Sequence, residues 1–165
     1  MAHESTETTR TASAGKTPSR MFTIPELELN LTTLAAPDVP ATVRSMLRLR
    51  LPSWCVTGAA ADDIELAAVE LASNACAATP ATEISFKARF DPVAATVWVG
   101  VWDSSPYRPT PRNPELSLEA IDALPEDHEF GGWGLSIVLA LSLESGVSST
   151  PAGKWVYAVF KGTPG

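Results

Sequence analysis

The chain has 165 residues, of which 45% are hydrophobic, and its formal net charge is -7. This length supports one sizeable hydrophobic core, and the acidic balance offers no Lys/Arg cluster that could follow the phosphates of a nucleic acid. We therefore expect one domain and no nucleic-acid partner. No apolar run approaches the roughly 18 residues that span a bilayer, and the N-terminus has no apolar signal core, which predicts a cytoplasmic protein with no membrane partner.

The N-terminal segment differs in composition from the rest of the chain. Residues 1–20 are rich in Ser, Thr, Ala and charged residues and have almost no large apolar side chain. Such a segment cannot offset the entropy that ordering would cost, so we predict a disordered tail. We expect residues 21–165 to form the single folded domain, and Met21 is an alternative start.

The first two elements are predicted from proline positions and apolar spacing. Residues 22–31 alternate imperfectly between apolar and polar side chains and contain Pro25. A proline cannot donate to a central ladder, which predicts an edge strand. Apolar residues at helical spacing then predict a helix that has Asp38 as its cap and ends at Pro52.

A second helix and a hairpin follow. The Ala-rich segment 61–78 predicts an amphipathic helix, which the Thr79-Pro80 pair ends. Two β-rich runs, 83–90 and 95–102, flank a short turn that contains Asp91 and Pro92. This pattern predicts a central antiparallel hairpin.

The second half of the chain has a long irregular connection. Residues 104–131 have no sustained periodicity, apart from a short helical piece at 116–124, and loops of this length are usually functional or mobile. An apolar helix at 135–143 and a closing strand at 154–161 follow. Glycines that enter a helix N-terminus let backbone N–H groups approach a phosphate, which makes the Gly-rich entry to this helix a candidate anion site.

The most informative pair of polar residues is Glu70 and Asn74. Four residues apart on a helix, they share a face, and they sit beside its apolar stripe. An asparagine carbonyl oxygen can bind Mg²⁺, and a glutamate can orient or deprotonate a nucleophile nearby. The alternative interpretation is a solvated helix edge.

In this order the features resemble the GHKL, or Bergerat-fold, ATP-binding superfamily and, within it, the bacterial anti-sigma-factor serine kinase branch. The resemblance covers residues 22–161. Its motifs are the helix 39–51 with Arg44, the Trp54 linker, Glu70-Leu71-x-x-Asn74-Ala75, Asp103 followed by Pro109, Gly132-x-Gly134-Leu135, and Gly153-Lys154.

The resemblance implies a fold and a ligand. The fold would be an α/β (α+β) two-layer sandwich, in which three helices cover one face of a mixed, mostly antiparallel sheet. Residues 104–131 would form the ATP lid. The implied cofactors are ATP and Mg²⁺, held between the helix layer and the lid.

The resemblance also implies residue roles. Glu70 would be the general base that accepts the proton of a target serine hydroxyl or orients an attacking water. Asn74 would ligate Mg²⁺, and Asp103 would accept a hydrogen bond from the exocyclic amine of adenine. Backbone N–H groups of the glycines would bind the phosphates. The implied cofactor-binding residues are Asn74, Asp103, Gly132, Gly134 and Leu135.

Four further residues have two interpretations each. Lys154, directly after Gly153, is either a site residue or, more commonly for such a lysine, the solvated end of an exposed strand. Arg44 either contacts a partner or is solvated on its helix. Trp98 and Trp102 share strand parity and belong to the core or to an interface.

Two functions follow from the resemblance. In the first, the protein is an ATP-dependent serine/threonine kinase that phosphorylates an anti-sigma-factor antagonist, sequesters a sigma factor, or does both, in the bacterial cytoplasm. In the alternative, it is a catalytically inactive module that controls transcription by binding a partner. Glu70, Asn74 and Asp103 favour the first; Ala78 and Trp133, where the branch often has His and Arg, favour the second. Apolar surface on the second sheet face or the first helix would favour a homodimer.

Overall fold

The structure, a computed structural model, describes residues 27–110 and 134–162. The predicted tail at 1–20, Met21, the helical piece at 116–124, most of the predicted lid, Gly132 and Trp133 lie outside the described residues. The described elements are β1 (Glu28–Leu34), α1 (Val39–Arg50), a short 3-10 helix (Leu51–Trp54), α2 (Ala59–Ala78), β2 (Glu83–Asp91), β3 (Thr96–Asp103), α3 (Gly134–Leu141), β4 (Glu144–Thr150) and β5 (Gly153–Lys161).

The five strands form one sheet in the order β1-β2-β3-β5-β4. Each neighbouring pair is antiparallel, so the sheet is antiparallel throughout the described strands rather than mixed. Helix α2 packs against β3 and β5 and lies between α1 and α3, so the helices form a second layer on one face. The predicted two-layer α+β sandwich is confirmed.

The core lies between the sheet and the helix layer. Every second residue of β3 faces it, and Val97, Val99 and Val101 are almost completely buried. Helix α2 meets these valines with small side chains that include Ala68 and Ala72, both buried. Short side chains let the helix axis lie close to the strand. This close packing positions the C-terminal half of α2 beside the end of β3.

The predicted first strand and first helix are present, with changed boundaries. Strand β1 occupies the sheet edge, as expected, but starts at Glu28. Helix α1 begins at Val39 with Asp38 as its N-cap residue, as predicted, but the Asp38 side chain makes no capping hydrogen bond. The reason is conformational, because Asp38 already has helical angles of φ -86° and ψ -12°, whereas a side-chain cap usually needs an extended residue.

Strand β4 was not predicted from the sequence. Its residues, Glu-Ser-Gly-Val-Ser-Ser-Thr, include one large apolar side chain, Val147, so neither face shows a hydrophobic alternation. The strand pairs with β5 along its whole length and forms the other edge of the sheet. Strand β5 is therefore an interior strand, and its first residues are not a free strand end.

The second face of the sheet carries an aromatic cluster without a covering helix among the described residues. The ring centroids of Trp98 and Trp155 are 5.9 Å apart, and those of Trp98 and Tyr157 are 5.8 Å apart. The Tyr157 hydroxyl donates to Glu144 Oε1 at 3.1 Å, and this hydrogen bond raises the pKa of Tyr157. Trp102, on the same face, donates from its Nε1 to Thr150 Oγ1 at 3.0 Å. These tryptophans lie outside the core between the layers.

None of the helices in residues 27–110 and 134–162 combines the length and the apolar character that crossing a membrane requires.

Candidate functional site

A cavity of about 210 Å³ opens between the C-terminal half of α2 and the ends of β3 and β5. Its walls are mostly apolar, and a few polar groups converge on it. This volume is below the roughly 300–1,000 Å³ of sites that enclose a whole small molecule, so the cavity can hold part of such a ligand. The lining residues are Leu71, Asn74, Ala75, Ala78, Val101, Asp103, Ser105, Tyr107, Arg108, Pro109, Lys154 and Val156.

An ion pair forms the polar part of the cavity lining. Asp103 and Lys154 are directly opposed across β3 and β5, and their side chains are 4% and 6% exposed. Lys154 Nζ lies 2.5 Å from Asp103 Oδ1 and donates to the Ser105 carbonyl oxygen at 3.0 Å. The Ser105 N–H also donates to Asp103 Oδ1, at 2.8 Å. The interpretation of Lys154 as a solvated strand end is therefore wrong, because β4 makes β5 an interior strand.

Two polar residues of α2 lie at different distances from the cavity. Asn74 is exposed at the rim and belongs to the cavity lining. Glu70, one helical turn earlier, is half-buried and lies outside this lining. It accepts no hydrogen bond from any described residue. Among the described residues, the carboxylate is thus held by packing rather than by a polar partner.

Gly134, the first described residue of α3, leaves room for the Glu70 carboxylate. Gly134 is buried, and a Cβ atom built on it would overlap Glu70 Oε2 and Cδ. The carboxylate therefore lies directly against the first turn of α3. A helix N-terminus carries partial positive charge, which stabilises a negative group there.

Comparison with known proteins identifies the family. A family model described as the histidine kinase-like ATPase domain matches residues 33–160. The chain belongs to this family. The match begins at the end of β1 and runs through every later described element to nearly the end of β5. It confirms the resemblance that the sequence motifs predicted. A comparison with curated proteins found no match.

One solved structure has a similar fold. It is the crystal structure of the RsbU and RsbW domains of Rv1364c from Mycobacterium tuberculosis, with a TM-score of 0.58 and 22% sequence identity. The match covers 81% of this chain and 32% of that chain, so this chain spans about a third of the length of the solved one. The similarity shows that the two proteins share the histidine kinase-like fold.

Within this histidine kinase-like domain, the predicted site residues fall into two groups. Asn74 and Asp103 line one cavity. Glu70 and Gly134 contact each other beside it, and Leu135 packs on the hydrophobic core rather than in the cavity lining. The structure thus separates the Asn74 and Asp103 end of this region from the Glu70 end.

Two features of the cavity were not found from the sequence. Ser105 is buried and holds the Asp103 carboxylate through its backbone N–H, and its Oγ accepts from the Tyr107 N–H at 3.3 Å. Arg108 stands at the rim and donates from Nη2 to Ser149 Oγ at 3.3 Å. The Asp-Ser-Ser sequence after a strand is a turn signal that could have indicated Ser105. The position of Arg108 depends on its hydrogen bond to β4, a strand that was not predicted, and no local sequence pattern indicated that Arg108 would lie at the cavity.

We expect Gly134→Ala to displace the Glu70 carboxylate. The added methyl group would occupy the space of Glu70 Oε2, and because this atom is the far end of a flexible side chain, the carboxylate should move aside. The free energy of unfolding should change by less than about 1 kcal/mol, since alanine also has a better helix propensity than glycine. NMR of the Glu70 side-chain carboxyl group measures the displacement, and Leu139→Ala on the exposed side of α3 is the control. An unchanged Glu70 carboxyl resonance in Gly134→Ala would contradict the close contact.

Proposed function

We propose that the protein binds ATP with Mg²⁺ and acts as a regulatory protein serine/threonine kinase of anti-sigma-factor type. It would phosphorylate an anti-sigma-factor antagonist, sequester a sigma factor, or do both. The observation that carries the proposal is that Asn74 and Asp103, from distant parts of the sequence, line one largely apolar cavity. Membership of the histidine kinase-like ATPase family supports the same conclusion.

The cavity suits the adenine base of ATP. Its apolar walls include Leu71, Val101 and Val156, which can contact the faces of a flat heterocycle. Asp103 Oδ1 is engaged by Lys154 and Ser105, whereas Oδ2 accepts no hydrogen bond from the described residues. A carboxylate oxygen of this kind needs a donor when water is displaced, and the exocyclic amine of adenine supplies one.

The adjacent polar residues suit Mg²⁺ and a reacting phosphoryl group. Asn74 offers a carbonyl oxygen, a ligand that this hard cation prefers, and Glu70 lies on the same helix face, about 5–6 Å away at the Cβ atoms. When bound, Mg²⁺ neutralises phosphate charge. Glu70, without a polar partner in the described part of the chain, is free to accept a proton from a serine hydroxyl. Gly134 at the start of α3 would present its backbone N–H to a phosphate, as would Gly132.

Residues 21–165 would form one ATP-binding domain in the bacterial cytoplasm, with residues 104–131 as the lid over the nucleotide. The lid would start at the described segment after Asp103, where Tyr107 and Arg108 already stand at the cavity rim.

A second candidate function keeps the nucleotide site but lacks catalysis. Ala78 lines the cavity at the position where the resembling branch often has a histidine, so this polar contact to a ligand is missing. In that case the protein would act by holding a regulatory partner. An assay of phosphoryl transfer distinguishes the two functions, because only the kinase function requires Glu70 as a base.

We expect Asn74→Ala to weaken Mg·ATP binding by at least about 10- to 100-fold, the loss that is typical when a metal site loses even an outer-shell partner of one of its ligands. ATP binding in excess EDTA should change little, since the amide would act through the cation. Calorimetry with and without Mg²⁺ measures both affinities. Asn30→Ala, an exposed asparagine on β1, is the matched control. An Asn74→Ala variant that binds Mg·ATP as tightly as the wild type, or that loses as much ATP affinity in EDTA as it does with Mg²⁺, would contradict this role.

A further inference from the structure

A buried lysine contributes to the polar end of the cavity. The Lys154 ammonium has three N–H groups, and the structure assigns two of them, to Asp103 Oδ1 at 2.5 Å and to the Ser105 carbonyl oxygen at 3.0 Å. Lys154 also belongs to the cavity lining, although its side chain is only 6% exposed. No described residue accepts from the third N–H, which is therefore available to a ligand.

The two oxygens of the neighbouring Asp103 carboxylate also differ in whether they have hydrogen-bond partners. Asp103 Oδ1 already accepts from Lys154 and from the Ser105 N–H, and Oδ2 accepts from no residue in the described ranges. The cavity thus presents one acceptor oxygen and one cationic donor side by side, among apolar walls. A ligand that fills it must offer a donor next to an acceptor, because unmatched buried polar groups are costly.

We propose that Lys154 determines the base specificity of this site. Its remaining N–H donates to N1 of adenine, while Asp103 Oδ2 accepts from the 6-amino group. This inference rests on the proposed function, namely that the cavity binds the base of ATP. It adds a residue to base recognition that the family resemblance does not assign.

The same arrangement disfavours guanine. A carboxylate recognises guanine by accepting from N1–H and the 2-amino group with both of its oxygens. Here Oδ1 already holds two donors, so only Oδ2 is available. The 2-amino group of guanine would then face apolar residues such as Leu71 and Val156 without an acceptor. We expect GTP to bind at least about tenfold more weakly than ATP.

Modified nucleotides test the proposal on the wild-type protein. 1-Deaza-ATP keeps the 6-amino group and replaces N1 by C–H, so it removes the acceptor for Lys154 alone. We expect its affinity, measured by calorimetry with Mg²⁺, to be about 10- to 100-fold lower than that of ATP, the usual range for a hydrogen bond from a charged donor. 7-Deaza-ATP, altered on the other edge of the purine, is the matched control and should bind like ATP.

The variant Lys154→Met completes the test. It keeps an unbranched apolar side chain one atom shorter than that of lysine and removes the ammonium, so ATP and 1-deaza-ATP should bind it with affinities within about threefold of each other. If the variant does not fold, the wild-type comparison decides. Wild-type protein that binds both nucleotides equally would overturn the role of Lys154 and leave ATP binding intact. Folded wild-type protein that binds no ATP would overturn the proposed function and this inference together.

Discussion

Replacing Glu70 with glutamine should lower phosphoryl transfer by about 10²- to 10⁴-fold, the usual contribution of a general base. The Glu70 carboxylate lies against Gly134 and outside the cavity lining, so Mg·ATP affinity should change far less than the rate. Release of phosphate from ATP, and transfer to a purified anti-sigma-factor antagonist from the same organism, measure the two reactions in which this base would act.

The matched control for this variant is Glu65→Gln. Glu65 lies on the same helix, and its Oε2 pairs with Arg48 Nε at 2.8 Å, away from the cavity. The control should keep the wild-type rate. A Glu70→Gln variant that transfers phosphate as fast as the wild type would remove Glu70 from catalysis. Wild-type protein that binds Mg·ATP and transfers no phosphate to any antagonist would favour the inactive partner-binding function.

The second large effect concerns stability. Lys154→Met and Asp103→Asn should each lower the free energy of unfolding by about 3–5 kcal/mol, because each leaves one partner of a buried ion pair without its counterion. The double variant should lose clearly less than the sum of the two, since it removes both charges. Urea denaturation followed by circular dichroism gives the four stabilities of the cycle.

Lys161→Met, at the exposed far end of β5, is the control for losing a lysine from this strand. It should change stability by less than about 0.5 kcal/mol, as is usual for surface substitutions. Additive losses in the double variant would contradict the coupling between Lys154 and Asp103. The cycle also shows why Asp103 variants are poor single tests of nucleotide binding, because they destabilise the site that they are meant to probe.

Local patterns predicted the elements whose burial alternates or repeats. Val97, Val99 and Val101 alternate with tryptophan or glycine residues and predicted β3, and the four-residue spacing of Glu70 and Asn74 predicted that both share one helix face. The family motifs further indicated that Asp103 belongs to the same site as Asn74. The first two expectations depend on periodicity within one segment, whereas the third came from the family resemblance, and the structure places Asn74 and Asp103 in one cavity lining.

The features that could not be predicted depend on contacts between distant segments. Strand β4 has a mostly small and polar sequence and is recognisable only through its pairing with β5. Without β4, Lys154 looked like the start of an exposed strand. The contact between Glu70 and Gly134 joins two helices through residues that are more than sixty positions apart in the sequence, and no local spacing encodes it.

The central claim is that the cavity between α2 and the end of β3 holds ATP. The most direct test is to titrate isotope-labelled protein with Mg²⁺ and a non-hydrolysable ATP analogue and to follow its NMR resonances. We expect the largest shifts at the Asn74 side-chain amide and at the backbone N–H groups of Ser105 and Tyr107, with the indole N–H groups of Trp98 and Trp155 on the opposite sheet face almost unchanged. Shifts centred on those indoles, or no shifts at saturating nucleotide, would contradict the account.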